Sequence, residues 1–321
     1  MKQPFYILFF VFAFFVGCKQ ESKEEKQIAK VNVTLDVARF DREIADAKPA
    51  DIPVLKEKYP YLFPAQYPDS LWVEKLRDTL QISLLKEVNI AFGDFKKEEQ
   101  DLKLFYQHVK YYFPEEVEPK VITVISDVNY ASPVILTNKL LLLGLDNYLG
   151  ADHKFYQGLQ NYIAEGLNKK YLITDVANAF AKKVVPYPTR DRTFLAQLVY
   201  YGKELYVKDK LIPFVTDAEK IKYSEEDLDW AFANEEPIWR NFIENQYLYS
   251  TDKDLNKRFL DPAPFSKFQL ELDIESPGRL GRFLGWQIVR SFMNNNEVTL
   301  QQMLSLPAEE IFKKSNYKPQ R

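Results

Sequence analysis

The sequence predicts an α+β fold: a mostly helical domain that carries a small mixed sheet in its N-terminal part. Three observations lead there. Branched aliphatic runs are concentrated in residues 120–146, with one alternating stretch ahead of them. After Asp146 the apolar residues recur at helical spacing almost to the C-terminus. The chain is 46 % apolar and 15 % aromatic, enough for a substantial core in a single globular domain over residues 31–321.

The first element is a leader. Lys2 is the only charge before Cys18, and Phe5 to Val16 reads FYILFFVFAFFV. That is a charged start followed by an apolar run of signal-peptide length, shorter than the roughly 20 residues that cross a bilayer. The run ends in Phe15-Val16-Gly17-Cys18. A small residue directly before cysteine resembles the lipobox of bacterial lipoproteins, with Phe where the usual Leu stands. The resemblance implies cleavage after residue 17, acylation of Cys18, and a membrane anchor. Each buried methylene contributes roughly 0.8 kcal/mol, so two or three acyl chains hold effectively permanently. A cleaved soluble signal or an uncleaved N-terminal anchor are the alternatives. Cys18 is the only cysteine, so neither an intrachain disulfide nor a cysteine-based zinc site is possible. Residues 18–30 then read as the acylated cysteine and a flexible polar tether.

The body follows in order. VNVTLDVARFD alternates at Val31, Val33, Leu35 and Val37, which predicts a first strand. Two amphipathic helices are expected over 70–91 and 94–112, the second capped by Asp94 and carrying Leu102, Phe105, Val109 and Phe113 on one face. KVITVISD and ASPVILTNKLLLLGLD predict two or three strands, with Leu140 to Leu145 buried. Helices are expected near 153–168, 172–184, 191–208, 224–231, 234–249 and 277–294, then two short ones. In the last long helix Ser276 is the expected N-cap and Pro277 the first helical residue, and Gly281 and Gly285 give a smooth packing face.

Catalytic groups are scarce. A net charge of −3 with no basic stripe excludes nucleic acid as a partner class. His108 and His153 are the only histidines, too far apart to form a zinc helix; His108 reads as a surface or boundary residue and His153 as a helix cap. There is no phosphate loop, dinucleotide fingerprint or nucleophile elbow. Glu235 and Glu236 open a helix, where the dipole favours acids by roughly 0.3–1 kcal/mol. The aromatic clusters at Tyr200, Tyr201 and Tyr206, at Trp230 and Trp239, and at Tyr247 and Tyr249 read as half-buried core with hydroxyls reaching out. No cofactor is expected.

Several long stretches, LLLLGLDNYLGADHKFYQGLQNYI, LVYYGKELYVKDKLIP, YSEEDLDWAFANEEPIWRNFIENQYLYST, APFSKF and SPGRLGRFLGWQIVRSFM, resemble the GldB family of gliding-motility lipoproteins of Bacteroidetes. The resemblance runs from about residue 33 to YKPQ and implies an envelope lipoprotein linked to gliding and to type IX secretion. Its implied partners are the membrane, through the anchor, and other gliding or secretion proteins, in the periplasm or at the outer membrane. The family is also similar, at a distance, to zincin metallopeptidases, which implies a degenerate zincin-like architecture. In that register Thr174-Asp175-Val176-Ala177-Asn178 stands where H-E-x-x-H would be, and Tyr201 of YYGKELY stands in the third ligand's place. Thr and Asn are poor zinc ligands, which implies a catalytically silent relative.

The candidate degenerate cleft therefore comprises Thr174, Asp175, Asn178, Tyr201, Glu204 and Arg279, with Tyr200 on its wall. The preferred reading is non-enzymatic support of the gliding machinery through protein contacts. A carboxylate-based envelope hydrolase using Glu204, Glu235 or Glu236 is one alternative. A glycan- or lipid-binding lipoprotein is the other.

Overall fold

The computed structural model describes residues 23–262, 264–269 and 271–320. Cys18, the leader and the first part of the expected tether lie outside the described residues. Four strands form one mixed sheet in the order β1-β2-β4-β3: β1 Val37–Ala38, β2 Lys120–Val124, β3 Val134–Leu136 and β4 Leu140–Gly144. β1 and β4 run parallel to β2, and β3 runs antiparallel to β4 at the edge. Helices make up most of the remainder, so the α+β expectation holds.

Strand alternation sorts the apolar side chains to two faces. Val121, Leu141 and Leu143 enter the main core, while Ile122, Leu140 and Leu142 face a smaller cluster around Leu55, Tyr59 and Phe63. That second face is covered by the helices α2 Phe40–Asp46 and α3 Ile52–Lys58 with the turn after it.

The expected helix over 70–91 is two: α4 Asp69–Arg77 and α5 Thr79–Phe92. Asp78 divides them because its carboxylate accepts from the backbone N–H of Leu80 at 2.7 Å and Gln81 at 3.2 Å, which starts a new helix. α6 Lys96–Tyr112 begins two residues later than expected, with Phe95, in the left-handed region at φ 60°, and not Asp94 at the N-cap position. The expected first strand shrinks to Val37 and Ala38; Val33 is buried in the core without a strand partner.

Two other expectations change. The segment 153–168 holds only a short 3-10 turn at Lys154–Tyr156 and α7 Asn161–Ala164, separated by Gly158 at φ 91°. The expected tether does not stay solvated through residue 30. α1 Lys23–Ile28 packs on the body with Ile28 2 % exposed, and the Tyr111 hydroxyl donates to Gln27 at 3.1 Å.

The centre of the molecule is a helix crossing. α8 Leu172–Val184 packs under the sheet and against α9 Phe194–Leu211, and α14 Leu280–Asn295 lies on α9 in turn. Between them run α10 Asp217–Ile221, α11 Glu225–Ala233, α12 Glu235–Glu244 and α13 Asp254–Phe259; α15 Leu300–Ser305 and α16 Ala308–Ser315 close the chain. α12 stops short of the expected residue 249 because Gln246 turns left-handed at φ 56° and Tyr247 N–H bonds back to Phe242 at 3.0 Å.

α14 starts at Arg279, φ 63°, not at Ser276. The Ser276 hydroxyl instead donates to Asp273 O at 2.8 Å, and a buried hydroxyl from afar, Ser266, accepts from Leu280 N–H at 3.3 Å. Gly285 meets α9 so closely that an added Cβ would lie 1.9 Å from Leu198 O; the matching glycine on α9 is Gly202.

Candidate functional site

Helical spacing sends one face of each central helix to a common space. Asp175 and Asn178 are three apart on α8; Tyr201, Glu204 and Lys208 follow at three and four on α9; Arg279 and Arg282 are three apart at the start of α14. All seven line one cleft of about 990 Å³, closed on another side by Lys222 and Tyr223 at the end of α10. Five of the six residues singled out from the sequence are therefore brought together. The sixth, Thr174, is fully buried away from the cleft; Tyr200 does not line it but packs edge-on against Tyr187, ring centroids 5.0 Å apart, with its hydroxyl interacting with Glu204.

Asp175 is closed on both oxygens. Lys222 Nζ lies 2.7 Å from Oδ1 and 2.8 Å from Oδ2, and the buried Tyr148 hydroxyl donates to Oδ2 at 2.9 Å. Burial, reinforced by Asp175, pushes the Tyr148 hydroxyl well above its ordinary range. Lys222 reaches Asp175 because it sits in the left-handed region at φ 59°, where α10 ends.

The arginines are held by aromatic faces and carbonyls. Arg282 stacks on Tyr201, its guanidinium 4.0 Å from the ring centre. Arg279 lies over Tyr223 at 5.5 Å and donates from Nη2 to Lys222 O at 2.8 Å, and its buried Nε has no partner among the described residues. Burial lowers the Arg279 pKa and raises that of Tyr201. Lys208, 6 % exposed, donates to Lys220 O at 3.0 Å, and burial pulls it down to about 7. Glu204 is 3 % exposed and its Oε1 has no hydrogen-bond partner.

The other candidate acids and bases lie elsewhere. Glu235 is buried on α12 and accepts from the Tyr317 hydroxyl at 2.6 Å; Glu236 pairs with Arg240. His108, expected near the surface, is 3 % exposed, with Nδ1 2.9 Å from Leu104 O and Nε2 3.3 Å from Glu25 in α1. The docking of α1 is what covers it. His153 caps the 3-10 turn, its Nδ1 accepting from Phe155 N–H at 3.4 Å. Most of the tyrosines and tryptophans expected to be half-buried are so, whereas Tyr249 is 59 % exposed. No cluster of three or more His, Cys, Asp or Glu side chains with metal-holding geometry occurs among the described residues.

Sequence reasoning missed Lys208, Lys222, Tyr223 and Arg282. Lys208 was within reach, four residues beyond Glu204 on the same helical face; Lys222 depends on a turn that no local pattern marks.

A family model described as gliding motility protein GldB matches residues 21–319. The chain belongs to the GldB family. The cleft thus lies within the matched span, and family membership carries involvement in gliding motility and association with the cell envelope as a lipoprotein. No curated protein and no solved structure matches the chain. No helix among the described residues is long and apolar enough to cross a membrane.

Proposed function

We propose that this GldB-family chain is a non-enzymatic, lipid-anchored envelope protein that supports assembly or stability of the gliding and type IX secretion machinery through protein contacts. Its cleft is the seat of a partner segment. The observation that carries this reading is the state of Asp175. A carboxylate that would serve as a general base needs a free oxygen facing substrate, and here Lys222 and Tyr148 occupy both. In the zincin-like register this is the position of the catalytic glutamate, and both neighbours at ligand positions, Thr174 and Asn178, are weak zinc donors. The two histidines are bound up in α6 and in the turn at residue 153, outside the cleft.

The hydrolase reading loses its named pair. Glu204 faces the cleft, while Glu235 and Glu236 belong to α12 and do not line it. Two carboxyl groups roughly 5–10 Å apart across one groove are what that chemistry requires.

The test is the double substitution Asn178→Ala with Tyr201→Ala, scored for gliding on a surface. Lost or slowed motility with normal protein level is expected. Unchanged motility removes the cleft from the function. A pull-down from detergent-solubilised envelopes is expected to recover a motility or secretion component, and recovery of none argues against the partner role.

A further inference from the structure

The lining of the cleft carries six cationic and five acidic side chains, but they are not evenly paired. Lys222 is matched by Asp175, and Lys220 by Asp209 and Asp217, at 3.0 and 3.2 Å. Lys208, Arg279 and Arg282 have no carboxylate within 4 Å among the described residues; each spends a donor on a backbone carbonyl instead. Lys208 and Arg282 lie close enough to oppose each other's charge, and so do Arg279 and Arg282. Glu204, Asp175 and Asp227 act on these groups only from beyond ion-pair distance, so the guanidinium groups of Arg279 and Arg282, with Lys208 beside them, keep donor capacity for an anionic group from outside. Two backbone positions carry a cost of their own, since Arg279 and Lys222 both occupy the left-handed region without being glycine.

On the same wall Glu204 presents a partial deficit: a buried carboxylate that interacts with the Tyr200 hydroxyl and whose Oε1 lacks a donor. Glu204 and Lys208 are four apart on α9, yet their charged ends are not within ion-pair distance. An occupant that satisfies both must offer an anionic acceptor and an N–H or O–H donor together.

On this footing we infer that the cleft takes an acidic peptide segment of a partner protein, its Asp or Glu side chain held by Arg279, Arg282 and Lys208 and a backbone N–H meeting Glu204. The planar guanidinium forks, fixed by stacking on Tyr201 and Tyr223, suit a carboxylate bidentately. Inorganic phosphate fits less well: it is chiefly an acceptor at neutral pH, and beside Glu204 it would add repulsion without supplying the missing donor. The inference rests on the reading of the cleft as a partner-binding site and specifies the partner's chemistry.

The experiment uses the full-length chain, solubilised in detergent and immobilised, against a displayed library of random octapeptides. Recovered sequences are expected to be enriched in Asp and Glu. Their Asn and Gln counterparts should bind at least tenfold more weakly, and Lys208→Met and Arg279→Gln should each weaken the acidic peptides tenfold or more. Thermal melts of both variants verify that they are folded, and Arg282→Gln replaces either one that is not. Recovery of no peptides, enrichment without acidic residues, or full affinity in the folded variants overturns the proposal. Inorganic phosphate binding more tightly than any recovered peptide overturns it as well, in favour of a phosphate site.

Gliding of a Lys208→Met strain separates this inference from the reading beneath it. Lost gliding without any acidic preference sinks the inference and leaves the cleft's role intact. Acidic preference with normal gliding does the reverse.

Discussion

Lys208 shows how burial turns one side chain into a reporter. Its ammonium faces Glu204 and Asp175, which favour the charge, and Lys222 and Arg282, which oppose it, but burial dominates and brings it to about 7 from an ordinary 10.5. The unfolded chain keeps that proton up to the ordinary value, so between the two pH values unfolding takes up a proton. Stability therefore rises as pH climbs through 7 towards 10, by an amount on the order of a few kcal/mol from this group, and the penalty is fully present below 7. Lys203 works in the same direction from about 8, its Nζ bound to Leu304 O at 3.0 Å and Leu306 O at 2.7 Å. Melting curves from pH 6 to 9.5 should show a rising Tm, and Lys208→Met should flatten part of the rise. An identical pH profile in the variant would mean that Lys208 stays charged throughout. The same proton predicts ligand behaviour: an acidic peptide should bind more tightly at pH 6 than at pH 9.

The crossing of α9 and α14 sets the shape of the cleft, because it fixes where Tyr201, Glu204 and Lys208 stand against Arg279 and Arg282. Gly202 and Gly285 allow the two backbones to touch; a Cβ at Gly202 would lie 2.1 Å from Gly285 O. Neither contact is with a flexible side chain, so the helices would have to separate. Gly285→Ala is expected to destabilise by roughly 3 kcal/mol, the upper end of what overpacking costs, or more. Urea titration checks it, and a loss under 1 kcal/mol would show that the crossing can slide. The pair is further fastened by Arg290 of α14, which stacks on Trp286 at 3.7 Å and reaches Asp209 and Asp217 at 2.7 Å. Such a fork, partly buried, ties α14 to both α9 and α10.

Across the whole molecule, the N-terminal segment is part of the fold. α1 lies along α6 and α9 through buried Ile28, the Tyr111 bond to Gln27, and Lys210 with Glu24 at 3.5 Å. Ile28→Asp should detach α1, because a carboxylate cannot be left unpaired in that site. Limited trypsin digestion should then cut faster at Lys23 and Lys26 while the global melt changes little. Unaltered protection would show that the polar contacts alone hold the helix.

Patterns of period 2 and 3.6 were enough to mark β2, β4, α8, α9 and α14, since each buries a continuous apolar face whatever its neighbours are. The same patterns brought Asp175, Asn178, Tyr201 and Glu204 onto two helices, and the long motifs carried the GldB resemblance that the family match bears out. Caps and turns were less legible. Asp78 could be read as a helix start only by its side-chain bonds, and Ser266 supplies a hydroxyl to α14 from fourteen residues away. The joining of α8, α9, the end of α10 and the start of α14 into one cleft was decided by tertiary packing. So was the closure of Asp175 by Lys222. Local sequence encodes which face of a helix is apolar, whereas charges distant in the chain meet only after the core has set the helices against one another.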